Sequence, residues 1–321
     1  MRGALARIDM TLAFTRWSRM AGLLIAIAIV ASNHFVDAAD KRIVLIAGRP
    51  SHPPGMHEFR AGCMLLQKAL SGVKGITVEV YTNGWPSKTV NGETVDDNAA
   101  LGDADAVFIY ADGGKGHPAI QRDHMKVLDA LAVKGVGLGF GHYGVEVPAG
   151  EPGEAMQRWN AGYYETNFSV NPMWSPMFES FPNHPVTRGV KPFSNRDEWY
   201  FNMRWAADPS AMKRLTPILT AKPGDDVRKG PYVSPPGPYP HIIADSGKVE
   251  TMMWVYERPG GGRSFGFTGG HTHTNWGDVS QRKVVLNALL WIAKVDVPAT
   301  GVQDAITEAD LAVNLDDKRR K

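Results

Sequence analysis

Short apolar runs alternate with amphipathic segments along the first half of the chain. Residues 42–48 are almost continuously apolar, which is typical of a strand buried on both faces of a parallel sheet. Similar runs predict strands at 76–81, 105–110 and 136–140, and helical patterns at about 57–70 and 119–133 lie among them. Strands that alternate with helices in this way predict a doubly wound, mostly parallel α/β sheet.

The pattern changes between residues 151 and 259. Apolar periodicity weakens there, and proline, tryptophan, methionine and asparagine become frequent. We interpret this stretch as a long irregular insertion within a single domain that spans residues 39–298. Order returns with a strand at 264–268 and an amphipathic helix at 279–292. The segment 299–321 ends in a cluster of charges and is expected to be a solvated tail.

Residues 1–38 have the pattern of a secretory signal peptide. Four arginines precede an apolar run at 21–31, and Val36, Asp37 and Ala38 form a small-residue pattern suited to signal peptidase. The run is shorter than the roughly 20 residues that a spanning helix needs, so we expect cleavage and no stable membrane anchor afterwards. The mature protein is therefore expected to be exported, to the periplasm or the extracellular space.

Composition adds two constraints. The chain is 43% hydrophobic and 21% charged, as is ordinary for a globular protein. Removing the signal takes away four of 35 basic and two of 33 acidic residues, which leaves 31 of each, so we expect no nucleic-acid partner. Cys63 is the single cysteine, so the chain has no internal disulfide, and its place in a predicted helix with an apolar face favours a packing role.

Polar residues follow several of the predicted strands. Residues 51–58 follow the first strand, 141–144 follow the fourth, and 269–276 follow the strand at 264–268. In open α/β sheets the carboxyl ends of parallel strands meet at one edge, where ligands bind. The sequence therefore predicts one pocket assembled from several loops.

His142 occupies the turn after the fourth strand, where class I glutamine amidotransferase-like folds place a nucleophile. Neither cysteine nor serine stands in this turn, so chemistry through an acyl-enzyme loses its nucleophile. His142 can still act as general acid, general base or ligand, or it can simply hydrogen-bond within the turn. The glycine-rich loop at 112–118 matches neither nucleotide-binding signature, so no nucleotide cofactor is expected.

His271 and His273 are two residues apart and share one face if the chain stays extended. Such a pair can bind a divalent metal such as zinc, or it can hydrogen-bond to a polyol substrate. A zinc site needs at least a third protein ligand, and the sequence offers several candidates: His52, His57, Glu58, His142, Glu146 and Glu198.

Two acids, Asp197 and Glu198, stand beside Trp199 and Tyr200 in the insertion. Carboxylates next to aromatic rings suit sugar chemistry, the acids for proton transfer and the rings for stacking on a sugar. Adjacent side chains point in different directions, so at most one of the two acids is expected to be catalytic. The remaining candidates for substrate binding are His52, His57, Trp199, Asn275 and Trp276, the two tryptophans as walls of the pocket.

Together these pieces resemble the ThuA-like (trehalose utilisation) family, and most of all its exported subgroup. The matching pieces are 51–58, 141–144, 197–200 and 262–276 with the closing helix, in order over roughly 41–295. The resemblance implies a flavodoxin-like, class I glutamine amidotransferase-like sheet that lacks the nucleophilic cysteine. It also implies a small carbohydrate substrate, because the family is associated with disaccharide catabolism and with oxidoreductases that make 3-keto sugars.

On this basis the leading hypothesis is hydrolysis, lyase or isomerase chemistry on an oxidised (3-keto) glycoside. His142 would then be the acid/base, assisted by Glu198 or Asp197, with His271 and His273 on a metal or on substrate hydroxyls. Two alternatives stay open: a non-catalytic carbohydrate-binding or scaffold protein, and a metal-dependent hydrolase of a non-sugar substrate. The sequence leaves the metal, the exact reaction and the oligomeric state undecided.

Overall fold

The structure is a computed structural model that describes residues 40 to 318. The predicted signal peptide, residues 1–38, lies outside the described part of the chain. Among the helices of residues 40 to 318, none combines the length and the apolar character that crossing a membrane requires.

The described chain contains strands and α-helices in the following order. The strands are β1 (Lys41–Ala47), β2 (Ile76–Thr82), β3 (Ser87–Val90), β4 (Glu93–Asp96), β5 (Ala106–Tyr110), β6 (Gly137–Gly141), β7 (Gly162–Tyr163), β8 (Met173–Trp174), β9 (Asp197–Glu198), β10 (Arg204–Trp205), β11 (Leu215–Ala221), β12 (Glu250–Glu257) and β13 (Arg263–Phe267). The helices are α1 (Phe59–Leu70), α2 (His124–Val133), α3 (Glu151–Asn160), α4 (Pro209–Met212), α5 (Asp225–Lys229), α6 (Pro240–Ala244) and α7 (Val279–Ile292).

A seven-stranded sheet lies at the centre, in the order β11-β12-β13-β6-β5-β1-β2. The strands from β13 to β2 pair in parallel, whereas β12 and β11 pair antiparallel at one side. The predicted doubly wound, mostly parallel α/β sheet is confirmed. Because β1, β5, β6 and β13 run the same way, the loops that follow them share one edge of the sheet.

Both faces of the sheet are covered, which explains why its central strands are apolar throughout. Ile43 and Leu45 of β1 belong to the core beneath α1 and α7, and Val44 and Ile46 belong to the core beneath α2 and α3. Successive side chains of a strand point to opposite faces, so a strand buried on both sides needs apolar residues at every position.

The predicted irregular insertion, residues 151–259, is more ordered than its pattern indicates. It contains α3 and also β11 and β12, which extend the central sheet. β11 is an edge strand with a proline, Pro217, and its register shifts between Pro217 and Thr220. Proline and irregular register are tolerated at a sheet edge, and both disrupt the alternation by which a strand is recognised in a sequence.

The segment after residue 298 also differs from the solvated tail that its charges predict. Val302 is buried, and Arg282 forms an ion pair of 2.8 Å with Asp304 in which both side chains are buried. The side chain of Lys318 is buried as well, with 5% of it exposed. Within residues 299–318, the charges of Asp304 and Lys318 therefore have partners within the protein, although most side chains there are exposed.

Candidate metal centre

Four side chains converge at the carboxyl edge of the sheet. His57 lies in the loop after β1, His142 directly follows β6, His271 follows β13, and Glu198 comes from β9 in the insertion. One ligand atom of each residue lies within 4.8 Å of the ligand atoms of the other three. All four residues are at most 5% exposed.

The shortest distances within this cluster join nitrogen to nitrogen and nitrogen to carboxylate. His57 Nε2 lies 3.1 Å from His142 Nε2 and 2.9 Å from His271 Nδ1. His271 Nδ1 also lies 2.7 Å from Glu198 Oε2. Three imidazole nitrogens and one carboxylate oxygen thus face a common point.

Contacts on the outer side of two rings fix which nitrogen carries the proton. His142 Nδ1 lies 2.9 Å from the carbonyl oxygen of Thr268, which can only accept, so Nδ1 is the donor. His57 Nδ1 lies 2.8 Å from Asp112 Oδ1 and donates to that carboxylate in the same way. In the neutral rings, both Nε2 atoms are therefore left with a lone pair that points into the cluster.

The surroundings keep these two rings neutral. Burial, together with the neighbouring histidines His52 and His271, lowers the pKa of His57 to about 2. Burial, with His57 and His271 adding to it, lowers the pKa of His142 well below its ordinary value. Neutral imidazole is the form that binds a metal, so both rings are ready to coordinate without losing a proton.

This donor set fits a divalent metal ion. Two lone pairs at 3.1 Å repel each other, and a cation between them turns that repulsion into attraction. Three imidazoles and a carboxylate, without a thiolate, suit first-row metals such as zinc, manganese, iron, cobalt or nickel. The Asp112 carboxylate behind His57 and the Thr268 carbonyl behind His142 are the outer support that metal-bound histidines ordinarily have.

The backbone at these histidines is strained. His52, His57 and His142 have φ values of 60°, 47° and 49°, in the left-handed region that side chains with a Cβ seldom adopt. Each such residue costs on the order of 1–3 kcal/mol and persists only where its surroundings hold it, as commonly happens at functional sites.

A network around Asp197 holds the loop that carries His271. Asp197 is fully buried, and its carboxylate accepts hydrogen bonds from the N–H groups of Gly270 (2.7 Å) and Thr272 (2.9 Å). A Cβ on Gly269 would lie 2.5 Å from the ring of Trp199, so only glycine allows this close approach. Asp197 and Trp199 therefore shape the loop and do not face the four converging donors.

Other polar groups lie around the cluster. The ring of His52 lies 3.6 Å from that of His57, and its side chain is 38% exposed, so it can meet a ligand from solvent. The hydroxyl of Tyr200 lies 3.2 Å from His142 Nε2, and Asn171 donates to Glu198 Oε1 at 2.6 Å. Any group bound at the centre would therefore meet hydrogen-bonding side chains as well as the four donors.

Glu146 is a second buried carboxyl near the centre. Thr166 donates to its Oε1 at 2.8 Å, and the residue is 8% exposed. Burial raises the pKa of Glu146 to about 7, with repulsion from Glu198 as a smaller cause. A carboxyl that gains and loses a proton near neutral pH suits general acid–base chemistry.

A cleft of about 570 Å³ at the same edge of the sheet is lined in part by Asp112, the partner of His57 Nδ1, and by none of the four donors. Its lining offers amide, guanidinium and carboxylate groups from Asn83, Gln121, Arg122 and Asp96. Arg122 and Asp96 form an ion pair of 2.6 Å, so their charges compensate each other. A cleft with many hydrogen-bonding groups and little net charge suits a neutral polyol.

The structure brings four of the residues predicted for a site together, with His52 beside them, and places Asp197, His273, Trp199, Asn275 and Trp276 outside the cluster. His273 is buried outside the cluster, because a 3-10 helix, His273–Gly277, ends the extended conformation that would align it with His271. Trp199 and Trp276 have no exposed surface, so neither ring can form a pocket wall as the sequence suggests. Asn275 donates to the carbonyl of Arg196 at 2.9 Å and helps to position the insertion.

Three residues with roles at the centre were not selected from the sequence: Asp112, Asn171 and Tyr200. Asp112 could have been found, because it follows the end of β5 at the same sheet edge as the histidines. Asn171 and Tyr200 lie in the insertion, where no periodic pattern fixes the direction of a side chain.

The family model described as ThuA, trehalose utilisation, matches residues 67–292 of the chain. A solved structure of a ThuA-like protein from Bacteroides uniformis has a TM-score of 0.55 at 14% identity and covers 83% of this chain and 96% of its own. Two structures from Thermotoga maritima, PurLQS and a glutamine amidotransferase, have TM-scores of 0.40 and 0.41 at 13% and 9% identity. They cover 78% and 80% of this chain and 99% and 100% of their own. No curated protein matches the sequence.

Proposed function

Since the chain belongs to the ThuA, trehalose utilisation, family, we propose that it is an exported, metal-dependent enzyme that acts on an oxidised (3-keto) sugar glycoside. The metal ligands in this proposal are His57, His142, Glu198 and His271. Export rests on the signal-like pattern of residues 1–38.

The proposal rests on one observation: two imidazole nitrogens point their lone pairs at each other. His57 Nε2 and His142 Nε2 lie 3.1 Å apart, and the outer contacts to Asp112 and to the Thr268 carbonyl leave each without a proton to share. A purely structural histidine cluster would be expected to alternate donors and acceptors. Two imidazole lone pairs directed at one point, with the Glu198 carboxylate beside them, suit a cation.

A keto sugar is the substrate that best uses such a centre. The hydrogen on the carbon next to a ketone is acidic, because the charge left by its removal spreads onto the carbonyl oxygen. A bound divalent metal supplies Lewis-acid polarisation of that oxygen. In a 3-keto glycoside, removal of this proton leads either to reprotonation, which is isomerisation, or to loss of the glycosidic oxygen one carbon further on, which is elimination.

The structure favours Glu146 over His142 as the acid/base in this reaction. The two ring nitrogens of His142 are directed to the Thr268 carbonyl and into the cluster, so a metal-bound His142 has no nitrogen left for proton transfer. Glu146, with a pKa of about 7, can accept the proton as a carboxylate and return it as an acid. Turnover should therefore rise with pH up to about 7.

Binding of the rest of the sugar is proposed for His52 and for the adjoining cleft. His52 is exposed beside the centre and can hydrogen-bond to a hydroxyl group. The cleft of about 570 Å³ lies within the range of small-molecule sites and has a polar lining.

The test combines metal analysis with hydrogen exchange. The purified protein is stripped with a chelator, reloaded with zinc, manganese, iron, cobalt or nickel, and analysed for bound metal. Each form is then mixed with a 3-keto disaccharide in deuterated water, and NMR follows both product formation and exchange of the hydrogen next to the ketone.

We expect about one metal ion per chain and exchange that depends on it, with Glu146→Gln losing exchange but keeping the metal. His57→Ala should lose both. A protein that binds no metal, or exchange that survives in His57→Ala, would refute the proposal. Sugar binding without exchange in the metal-loaded protein would favour a carbohydrate-binding protein, and exchange with the Glu146→Gln variant would remove Glu146 from the mechanism.

A further inference from the structure

The segment 303–318, here called the C-terminal strap, closes against the loop that carries His57. Asp316 N–H donates to Glu58 Oε2 at 2.8 Å, and the Asn314 carbonyl accepts from Arg60 Nε at 3.1 Å. Farther along the strap, Asp310 forms an ion pair of 2.5 Å with Lys68 on α1. The strap therefore contacts both the His57 loop and the following helix.

Lys318 makes the most concentrated set of these contacts. Its Nζ lies 3.2 Å from Glu58 Oε1 and donates to the carbonyl of His57 at 3.1 Å and to that of Met56 at 2.5 Å. Only 5% of the Lys318 side chain and 1% of that of Glu58 are exposed. An ammonium group in this position, with three acceptors around it, satisfies all three of its N–H donors.

The loop that Lys318 holds is strained at the metal ligand itself. His57 has a φ of 47°, a conformation that persists only where neighbouring contacts enforce it. The N–H of His57 donates to the His271 carbonyl at 3.0 Å. Lys318 donates to the carbonyls on both sides of the strained Cα, those of Met56 and His57. Glu58 also stabilises the loop, because its Oε1 accepts a hydrogen bond from Gly55 N–H at 2.9 Å.

From these contacts we infer that Lys318 is a positioning residue for the metal ligand His57, and that the C-terminal strap is part of the metal centre's support. This inference rests on the proposed metal centre. Without the Lys318 ammonium, the carbonyls of Met56 and His57 lose their donor and Glu58 keeps a buried, uncompensated charge. The loop is then free to leave the left-handed conformation, and His57 Nε2 no longer points at the other donors.

The experiment measures metal affinity in the full chain by competition with a chromophoric chelator, for zinc and for cobalt. Lys318→Met removes the charge and keeps the length of the side chain, and Lys318→Arg restores a buried cation. Lys68→Met is the matched control, because it breaks a different ion pair of the same strap, with Asp310, without touching the His57 loop. The cobalt absorption spectrum reports separately on how many histidines coordinate.

We expect Lys318→Met to weaken metal binding by about 10- to 100-fold, as loss of an outer support commonly does, and to alter the cobalt spectrum. Lys318→Arg should recover part of the affinity, and Lys68→Met should stay within about threefold of the parent protein, within the scatter of near-neutral surface changes. In a His57→Ala background, Lys318→Met should have little further effect, because the ligand that it positions is gone.

Two results would overturn the inference. One is a Lys318→Met protein with unchanged metal affinity, even if its Tm falls; the other is a Lys68→Met protein that loses as much affinity as Lys318→Met. If Lys318→Met does not fold, Glu58→Gln removes the partner charge while keeping its shape, and unchanged affinity there counts against the inference equally. Metal binding by the parent protein with no effect of Lys318 refutes this inference alone, whereas a parent protein that binds no metal refutes the proposed function as well.

Discussion

The rings of His57 and His142 each form a hydrogen bond on the side that faces away from the other donors. The Thr268 carbonyl engages His142 Nδ1, and the Asp112 carboxylate engages His57 Nδ1. A carbonyl oxygen and an ionised carboxylate can only accept hydrogen bonds. The two contacts therefore place the ring proton on Nδ1 of each histidine and leave Nε2 without one. Single-atom roles of this kind make the centre sensitive to individual substitutions.

The clearest residue-level prediction contrasts His271 with His273. His271→Ala removes one of the four donors and should weaken metal binding by more than the roughly 10- to 100-fold that loss of an outer partner costs. His273→Ala should leave the affinity unchanged, because His273 lies outside the cluster, although it should lower stability through the cavity left at a buried position. Calorimetric metal titration of both variants checks this. Equal losses in the two variants would instead favour a His-x-His chelate.

At the level of elements, the carboxyl ends of β1, β6 and β13 explain how much of the site the sequence could predict. The second half of each strand is apolar, so the sequence shows where each strand ends. Because parallel strands share an edge, the ends predict that His57, His142 and His271 line one pocket. The fourth donor was harder to assign. β9 has only two residues, and its pairing with β8 decides that Glu198 and not Asp197 faces the cluster.

Two further elements could not be predicted, because their structure also depends on partners elsewhere in the chain. β11 contains a proline and an irregular register, and it is a strand only because β12 pairs with it. The many charged residues of the C-terminal strap predict a solvated segment. Lys318 and Asp304 are buried only because Glu58 and Arg282, far away in the sequence, provide opposite charges.

The two residues of β9 give a prediction at this scale. Asp197 uses both carboxylate oxygens to accept backbone N–H groups, Oδ2 from Gly270 and Oδ1 from Thr272, whereas an asparagine has only one acceptor oxygen. Asp197→Asn should therefore destabilise the metal-free protein by about 1–3 kcal/mol, the cost of a buried donor left unpaired. Glu198→Gln should lower that stability less, because the amide oxygen can still accept from Asn171 and the amide NH₂ can donate to a neutral His271 ring, and it should weaken metal binding.

Urea unfolding of the chelated variants and metal titration separate these two effects. The pair is a matched control, because each substitution exchanges a carboxylate for an amide at neighbouring positions of one strand. An Asp197→Asn protein as stable as the parent would show that the Asp197 network does not hold the His271 loop. A Glu198→Gln protein with full metal affinity would remove Glu198 from the ligand set.

At the scale of the whole molecule, the four donors come from widely separated parts of the chain. His57 follows the first strand of the sheet, His142 a middle one, and His271 the last, while Glu198 belongs to the insertion. A bound ion would link the parallel part of the sheet to the insertion through one point. A cation between the two facing lone pairs would also turn their mutual repulsion into attraction.

Metal loading should therefore stabilise the protein as a unit. A ligand that binds only the folded state stabilises it by about 4 kcal/mol when its free concentration is about 1,000 times Kd, which for a domain of this size corresponds to a rise in Tm of roughly 10 °C. Calorimetry of the chelated and the reloaded protein should show this rise in a single transition, and His142→Ala should abolish it. The donors lie on the sheet and on the insertion alike, so both should unfold together at the higher temperature. A Tm that chelation does not change, or a rise that His142→Ala retains, would mean that no ion is held at this point.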